Sequence, residues 1–213
     1  MKTQALINFL CKNHAQTSTA APIRTGTLTA VLVSSSIGLL IFLYGWQIVD
    51  DITAPPFVTG YALKATFGLA TALLAMRAWP ALLNSNLPSK AEAVRLALIG
   101  LPVALMLFGV FAVSQVTWGP ALSWRNGIAC VASILLISLP IWAVLIWQGR
   151  QGLPTRLRLT GFVGGLVASG FGVPIFALSC AETSPAYIAV WYGVAVVATG
   201  TLGAMAAPRL LRW

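Results

Sequence analysis

The sequence has few of the groups that acid–base, metal or nucleophilic chemistry needs. Its 213 residues include four acidic side chains and one histidine, His14, and only 8% of the residues are charged. A soluble domain carries about 25% charged residues. Catalysis inside a membrane uses paired carboxylates, histidine clusters or an activated serine, and no such set is present. We therefore predict a protein that is not an enzyme and holds neither a cofactor nor a metal ion.

The sequence is rich in long apolar stretches. Hydrophobic residues make up 58% of the chain, and the mean hydropathy is +0.87. Stretches of about 20 apolar residues are long enough to cross a bilayer as helices, and six occur, at 27–49, 57–76, 96–116, 127–147, 159–178 and 186–207. Every charged residue except Lys64 lies outside them. We predict an all-α polytopic membrane protein: a six-helix transmembrane domain over 27–213, preceded by a tail over 1–26.

The basic residues indicate how this bundle is oriented. The net charge is +9, which in a soluble protein suggests nucleic-acid binding. Arg125 is the one basic residue in the connections on one side, whereas the other side carries Lys2, Lys12, Arg24, Arg77, Lys90, Arg95, Arg150, Arg156, Arg158, Arg209 and Arg212. Cytoplasmic connections carry an excess of lysine and arginine. The asymmetry predicts that both termini are cytoplasmic, and it explains the charge by topology, so we expect the lipid bilayer and not nucleic acid as a partner.

Two of the three cysteines share the predicted outer side. Cys130 lies near the start of the fourth stretch and Cys180 just past the end of the fifth, so both have about the same depth. Disulfides persist in oxidising compartments, and two cysteines can pair when their Cα atoms come within about 4.4–6.8 Å. We predict a disulfide or a thiol pair, with a buried inert thiol as the alternative for either residue alone. Cys11 falls on the cytoplasmic side, where we expect a reduced thiol.

Lys64 is the only charge inside a predicted span. A lysine within reach of the membrane surface can extend its ammonium group into water, and we expect this of Lys64. The alternative is a contact with an ion or a substrate, which would make the protein a small six-helix transporter or channel.

The tail contains a short amphipathic segment. Thr3 can cap a helix that places Leu6, Ile7 and Leu10 on one face, with Phe9 beside them. A helix this short is marginal alone. It requires either a membrane surface or the groove of a partner protein, and the residues themselves do not choose between the two.

Several segments together carry a family resemblance. Residues 180–192 read CAETSPAYIAVWY, and the chain ends in RLLRW at 209–213. The start Met1-Lys2-Thr3, the Leu139-Pro140 pair, the connection at 149–154 and the glycine-rich fifth stretch belong to the same pattern. In these features the whole chain resembles the NrsF family of bacterial inner-membrane anti-sigma factors.

The resemblance implies regulation without catalysis. Such proteins hold a sigma factor of the extracytoplasmic-function (ECF) type at the bacterial inner membrane through the cytoplasmic N-terminal segment, and release it under oxidative or heavy-metal stress. Carried over to this sequence, the sigma factor would bind Leu6, Ile7, Phe9 and Leu10. The stress would be sensed by Cys130 and Cys180.

Overall fold

In a computed structural model of the protein, the structure describes residues 29, 32–33, 35–40, 43, 55–83, 124–151, 154 and 156–211. The regular elements in these ranges are all helical: α1 (Pro55–Leu83), α2 (Trp124–Gln151), α3 (Leu157–Ala177), α4 (Pro185–Tyr187), a π-helical segment (Ile188–Tyr192) and α5 (Gly193–Leu210). The last three follow one another without a break, and we refer to them together as the C-terminal helix.

Four of the described helices are long and apolar enough to cross a bilayer. Their apolar parts are Phe57–Trp79, Arg125–Arg150, Leu157–Ala177 and Ile188–Leu210. They agree with the second, fourth, fifth and sixth predicted spans. The first predicted span, 27–49, is described only at some of its residues, which are helical. The predicted span at 96–116 and the tail over 1–26 lie outside the described residues.

Helix α3 is the centre of the described bundle. In its apolar window 72% of the residues are buried, against 39–56% in the windows of the other three helices. The cause is its composition, because small residues let neighbouring backbones approach closely where lipid supplies no hydrophobic driving force. Gly164, Gly165 and Ala168 are buried within α3, and Val163 and Val167 belong to the hydrophobic core of the bundle.

Two glycine contacts fix the neighbours of α3. A Cβ atom on Gly68 of α1 would lie 2.7 Å from the carbonyl oxygen of Gly170. On the other side of α3, Gly161 lies directly against the backbone of Gly203 and the side chain of Ala207 in α5. A larger side chain at either contact would force the helices apart, so these glycines set the helix–helix distances.

The bundle has two chemically different ends. At the first, a Cβ atom on Gly60 of α1 would lie 2.9 Å from Thr183, and Gly127 of α2 lies against the Trp191 ring. We name it the thiol end because Cys130 and Cys180 lie there. At the opposite end, Arg150 Nε donates a hydrogen bond to the Leu210 carbonyl oxygen at 2.8 Å.

The second end is the arginine end. The arginines on it are all exposed, and they are Arg77, Arg150, Arg156, Arg158 and Arg209. Arg125 is the one described arginine at the thiol end. Under the positive-inside rule this distribution favours a cytoplasmic arginine end, and the orientation stays a prediction.

Candidate thiol site

The structure brings Cys130 and Cys180 together. Cys130 lies in the second turn of α2, whereas Cys180 follows the turn at 178–179 that ends α3. Both side chains are buried, and both are free thiols. The two side chains lie close enough for each to shift the pKa of the other. The prediction of a shared depth is therefore correct for these two residues, and in this structure they form a thiol pair.

Tyr187 contacts the pair from the start of the C-terminal helix. Its hydroxyl oxygen lies 3.2 Å from the Cys130 sulfur. Its ring packs against Trp191 at a centroid distance of 6.4 Å, and Trp191 in turn covers Gly127 of α2. Glycine at position 127 leaves the space that the indole ring needs, so this contact anchors the start of α2 against the C-terminal helix.

The π-helical segment places a second tyrosine at the same site. Residues five apart on an α-helix point about 140° away from each other at 3.6 residues per turn. The wider π-helical turn joins residues i and i+5, and here it brings Tyr187 and Tyr192 toward the same pair of thiols. Tyr192 is fully buried, with its hydroxyl close to Cys180. Among the described residues, this hydroxyl has no partner in hydrogen-bond geometry.

Lys64 reaches the site from α1. Its side chain is 1% exposed, and its Nζ atom donates a hydrogen bond to the Cys180 carbonyl oxygen at 2.7 Å. The same Nζ lies 5.8 Å from the centre of the Tyr192 ring. The expectation that Lys64 extends its ammonium into water is therefore wrong. A carbonyl acceptor and an aromatic face within the bundle lie within its reach and take the place of water.

The electrostatics of the site favour negative charge on Cys180, which lies outside the apolar spans. The adjacent Cys130 side chain lowers the pKa of Cys180 below its ordinary value, and the neighbouring Tyr192 hydroxyl, the positive charge of Lys64 and the backbone of Glu182 act in the same direction. Burial of the thiol opposes them. Either atom of the Tyr187–Cys130 contact can donate, and when the Tyr187 hydroxyl donates, the Cys130 proton is left to face Cys180.

Two adjacent thiols define the chemistry that this site can perform. The thiolate is the nucleophilic form of cysteine, and two neighbouring thiols can be oxidised to a disulfide. A structural metal site needs about four ligands. Within the described ranges, no group of three or more histidine, cysteine, aspartate or glutamate side chains comes together. The arrangement is suited to a reaction at the two sulfur atoms.

Part of this site could not be predicted. Tyr187 and Tyr192 stand in the same C-terminal motif as Cys180, and their spacing of five residues was the available signal, but that spacing separates them on an α-helix. The contact of Lys64 with Cys180 joins residues 116 positions apart. The predicted sigma-factor-binding residues Leu6, Ile7, Phe9 and Leu10 lie outside the described residues, as does Cys11.

The fold and the site define a class of protein. It is a helical bundle of membrane-protein composition, and the buried ionisable groups of its described part gather around a thiol pair at one end. The family described as "Negative regulator of sigma F", NrsF, matches residues 10–213. The chain belongs to the NrsF family.

Two relatives match over their whole length. The chain is 29% identical over 227 residues to the anti-sigma-F factor NrsF of Caulobacter vibrioides (strain NA1000 / CB15N), with both chains covered completely. It is 25% identical over 221 residues to the probable anti-sigma-F factor NrsF of Azospira oryzae, again over all of both chains. No solved structure matches the chain. The family that the sequence motifs predicted is thus confirmed.

Proposed function

We propose that this protein is a multi-pass anti-sigma factor of the bacterial inner membrane. It sequesters an ECF-type sigma factor through its cytoplasmic N-terminal tail and releases it on oxidative or heavy-metal stress sensed at Cys130 and Cys180. Family membership supports the regulatory role, and both relatives are named as anti-sigma-F factors. The observation that carries the proposal is the buried pair of free thiols at one end of the bundle.

The location of the thiol pair suits a sensor. Cys130 belongs to α2, Cys180 belongs to the segment after α3, and the Cys180 carbonyl is held by α1 through Lys64. Oxidation removes one hydrogen atom from each thiol, passes two electrons and two protons to the oxidant, and forms an S–S bond of about 2.05 Å. That bond is far shorter than a thiol–thiol contact. Its formation therefore pulls the start of α2 toward the segment after α3. Because the helices pack closely through their glycines, they cannot absorb this movement without shifting relative to one another.

The tail suits the binding role. Leu6, Ile7, Phe9 and Leu10 supply an apolar helix face of the kind that docks into a groove of a partner protein. The arginine distribution favours a cytoplasmic tail, the compartment in which a sigma factor is found. In this proposal the reduced protein keeps the tail bound to the sigma factor, and the change at the thiol end leads to its release.

The tail is tested in the full-length chain. The variant Leu6→Ser, Ile7→Ser, Phe9→Ser, Leu10→Ser removes the apolar face, and the control variant Gln4→Ser, Asn8→Ser alters its polar neighbours. Each is co-expressed with the tagged ECF-type sigma factors of the same genome and extracted from membranes. We expect the fourfold variant to retain at least about tenfold less sigma factor, since the loss of about 1.4 kcal/mol already amounts to that factor. Equal retention by the fourfold variant and the control would remove the tail from the proposal.

A further inference from the structure

Lys64 is a buried cation without an anionic partner among the described residues. The described part of the chain has one carboxylate, Glu182, and that side chain is exposed. A buried charge is costly unless it is paired and hydrogen-bonded. The ammonium is compensated by the Cys180 carbonyl at 2.7 Å and by the Tyr192 ring face, and both of these groups are neutral. A neutral donor would hold a carbonyl at lower cost, so the positive charge itself requires an explanation.

The ionisable groups that face Lys64 limit the explanation. They are Cys130 from α2 and Cys180 from the segment after α3, and Tyr192 from the C-terminal helix, whose ring centre lies 5.8 Å from the Lys64 Nζ atom. The Tyr187 hydroxyl lies 3.2 Å from the Cys130 sulfur, and when it donates there, the Cys130 proton is left to face Cys180. Negative charge that forms during a reaction therefore collects on the Cys180 sulfur, in the residue whose carbonyl Lys64 holds.

We propose that Lys64 is the positioning residue of the thiol pair. Its ammonium holds the Cys180 carbonyl, which fixes the Cys180 sulfur opposite Cys130, and it places a fixed positive charge next to the sulfur that becomes anionic. This inference rests on the proposed function for its biological meaning, because it concerns the residues that sense the stress. It assigns unequal roles to the two cysteines: Cys180 reacts first, and Cys130 is its hydrogen-bond donor and resolving partner.

The surrounding packing supports this role. A Cβ atom on Gly60 of α1 would lie 2.9 Å from Thr183, three residues after Cys180. The segment from Cys180 to Ser184 is therefore held to α1 at two places, at Gly60 by close contact and at Lys64 by a hydrogen bond. Lys64 lies one turn of α1 beyond Gly60, on the same side of the helix, so the contact and the hydrogen bond reinforce one another.

The test measures the reactivity of Cys180 with N-ethylmaleimide in membrane-extracted full-length protein. The Cys180 thiolate adds to the maleimide double bond, forming a C–S bond, and the neighbouring carbon takes a proton from water. In a Cys11→Ser, Cys130→Ser background Cys180 is the single thiol. Lys64 is then changed to Arg, which keeps charge and donor, to Gln, which keeps a donor alone, and to Met, which keeps neither. The rate is followed across the pH range.

We expect the Gln and Met variants to react at least about tenfold more slowly at neutral pH, because loss of the charge moves the pH midpoint of the reaction upward and one pKa unit is tenfold in thiolate. The Arg variant should stay within about threefold of the Lys64 chain on the same scale. A Gln or Met variant that reacts as fast as the Lys64 chain overturns the proposal.

A second comparison leaves Lys64 in place. It can therefore be made even if the Lys64→Gln and Lys64→Met variants do not fold. The Cys180-only chain is compared with the Cys130-only chain, made by Cys11→Ser and Cys180→Ser. We expect Cys180 to react faster, and an equal or faster reaction at Cys130 contradicts the inference. Because no sigma factor is present in either assay, failure here leaves cysteine-dependent release untouched. A Lys64-dependent rate without stress-induced release contradicts only the proposed function.

Discussion

The two ends of the described bundle are built on different principles. At the thiol end the backbone is irregular, with a turn after α3, a segment without regular secondary structure over 180–184 and a π-helical segment. Its buried side chains include five ionisable ones: Lys64, Cys130, Cys180, Tyr187 and Tyr192. At the arginine end regular helices meet through Gly161 and Gly203, and the described arginines are exposed.

The difference separates the reactive groups, which lie at the thiol end, from the close helix packing that stabilises the bundle. Close glycine packing gives α3 one well-defined position between α1 and α5, and it contributes no reactive group. The irregular backbone of the thiol end brings polar groups from α1, α2, the segment after α3 and the C-terminal helix to one place. Reactivity and stability should therefore respond to different substitutions, and the following predictions test this separation.

The largest effect on stability is expected at the arginine end. Gly161→Ala places a methyl group against the Gly203 backbone and Ala207, neither of which can move aside. Overpacking of this kind costs about 1–3 kcal/mol, so the midpoint of thermal unfolding in detergent, followed by circular dichroism, should fall by about 2–10 °C.

Gly149→Ala is the matched control for this substitution. Its new methyl group meets only the flexible end of Leu211, at 3.2 Å, so the unfolding temperature should barely change. The Cys180 alkylation rate should stay the same in both variants at temperatures where they are folded. An unaltered unfolding temperature for Gly161→Ala would contradict the packing argument, and a strongly altered alkylation rate would contradict the separation of the two ends.

A smaller effect is expected from Tyr187→Phe at the thiol end, and it concerns the rate of thiol oxidation and not the stability of the fold. The ring and its packing on Trp191 remain, but the hydroxyl that lies 3.2 Å from the Cys130 sulfur is lost. One hydrogen bond is worth about 1 kcal/mol, so oxidation of the Cys130–Cys180 pair to a disulfide should slow by roughly fivefold.

The control is Tyr61→Phe on α1, where the ring stacks on Phe57 at 6.2 Å. Disulfide formation is read by mass spectrometry of the alkylated chain after exposure to a hydroperoxide. Both variants should keep the unfolding temperature of the unaltered protein. Equal slowing in the two variants would show that the Tyr187 hydroxyl has no specific role.

Features that depend on the contrast between water and lipid could be predicted from the sequence. Apolar runs bounded by charges located the four described spans, and the charge asymmetry placed Cys130 and Cys180 at one end, because water and lipid act on every residue according to its type. The sequence could not predict the interior contacts. Hydropathy predicts that the Lys64 ammonium group extends into water, since it does not reveal that a carbonyl 116 positions away lies within reach.

The π-helical segment also could not be predicted, because it depends on contacts in the folded structure. Residues 188–192 have the composition of an ordinary apolar helix, and the wider turn arises where Tyr187 and Tyr192 both pack toward the thiols. Its existence is a result of tertiary contacts. The family motif was a better guide to this region than periodicity, since it includes Cys180 together with both tyrosines.

The central claim is that the thiol pair controls release of the sigma factor. The full-length protein is co-expressed with the ECF-type sigma factor that we propose it binds, extracted from membranes, treated with a hydroperoxide, and assayed for what leaves the complex. The same measurement is made on the Cys130→Ser, Cys180→Ser variant and on Cys11→Ser as a control. The account predicts release from the unaltered protein and from Cys11→Ser, and retention by the double variant. Release from the double variant to the same extent as from the unaltered protein would contradict it.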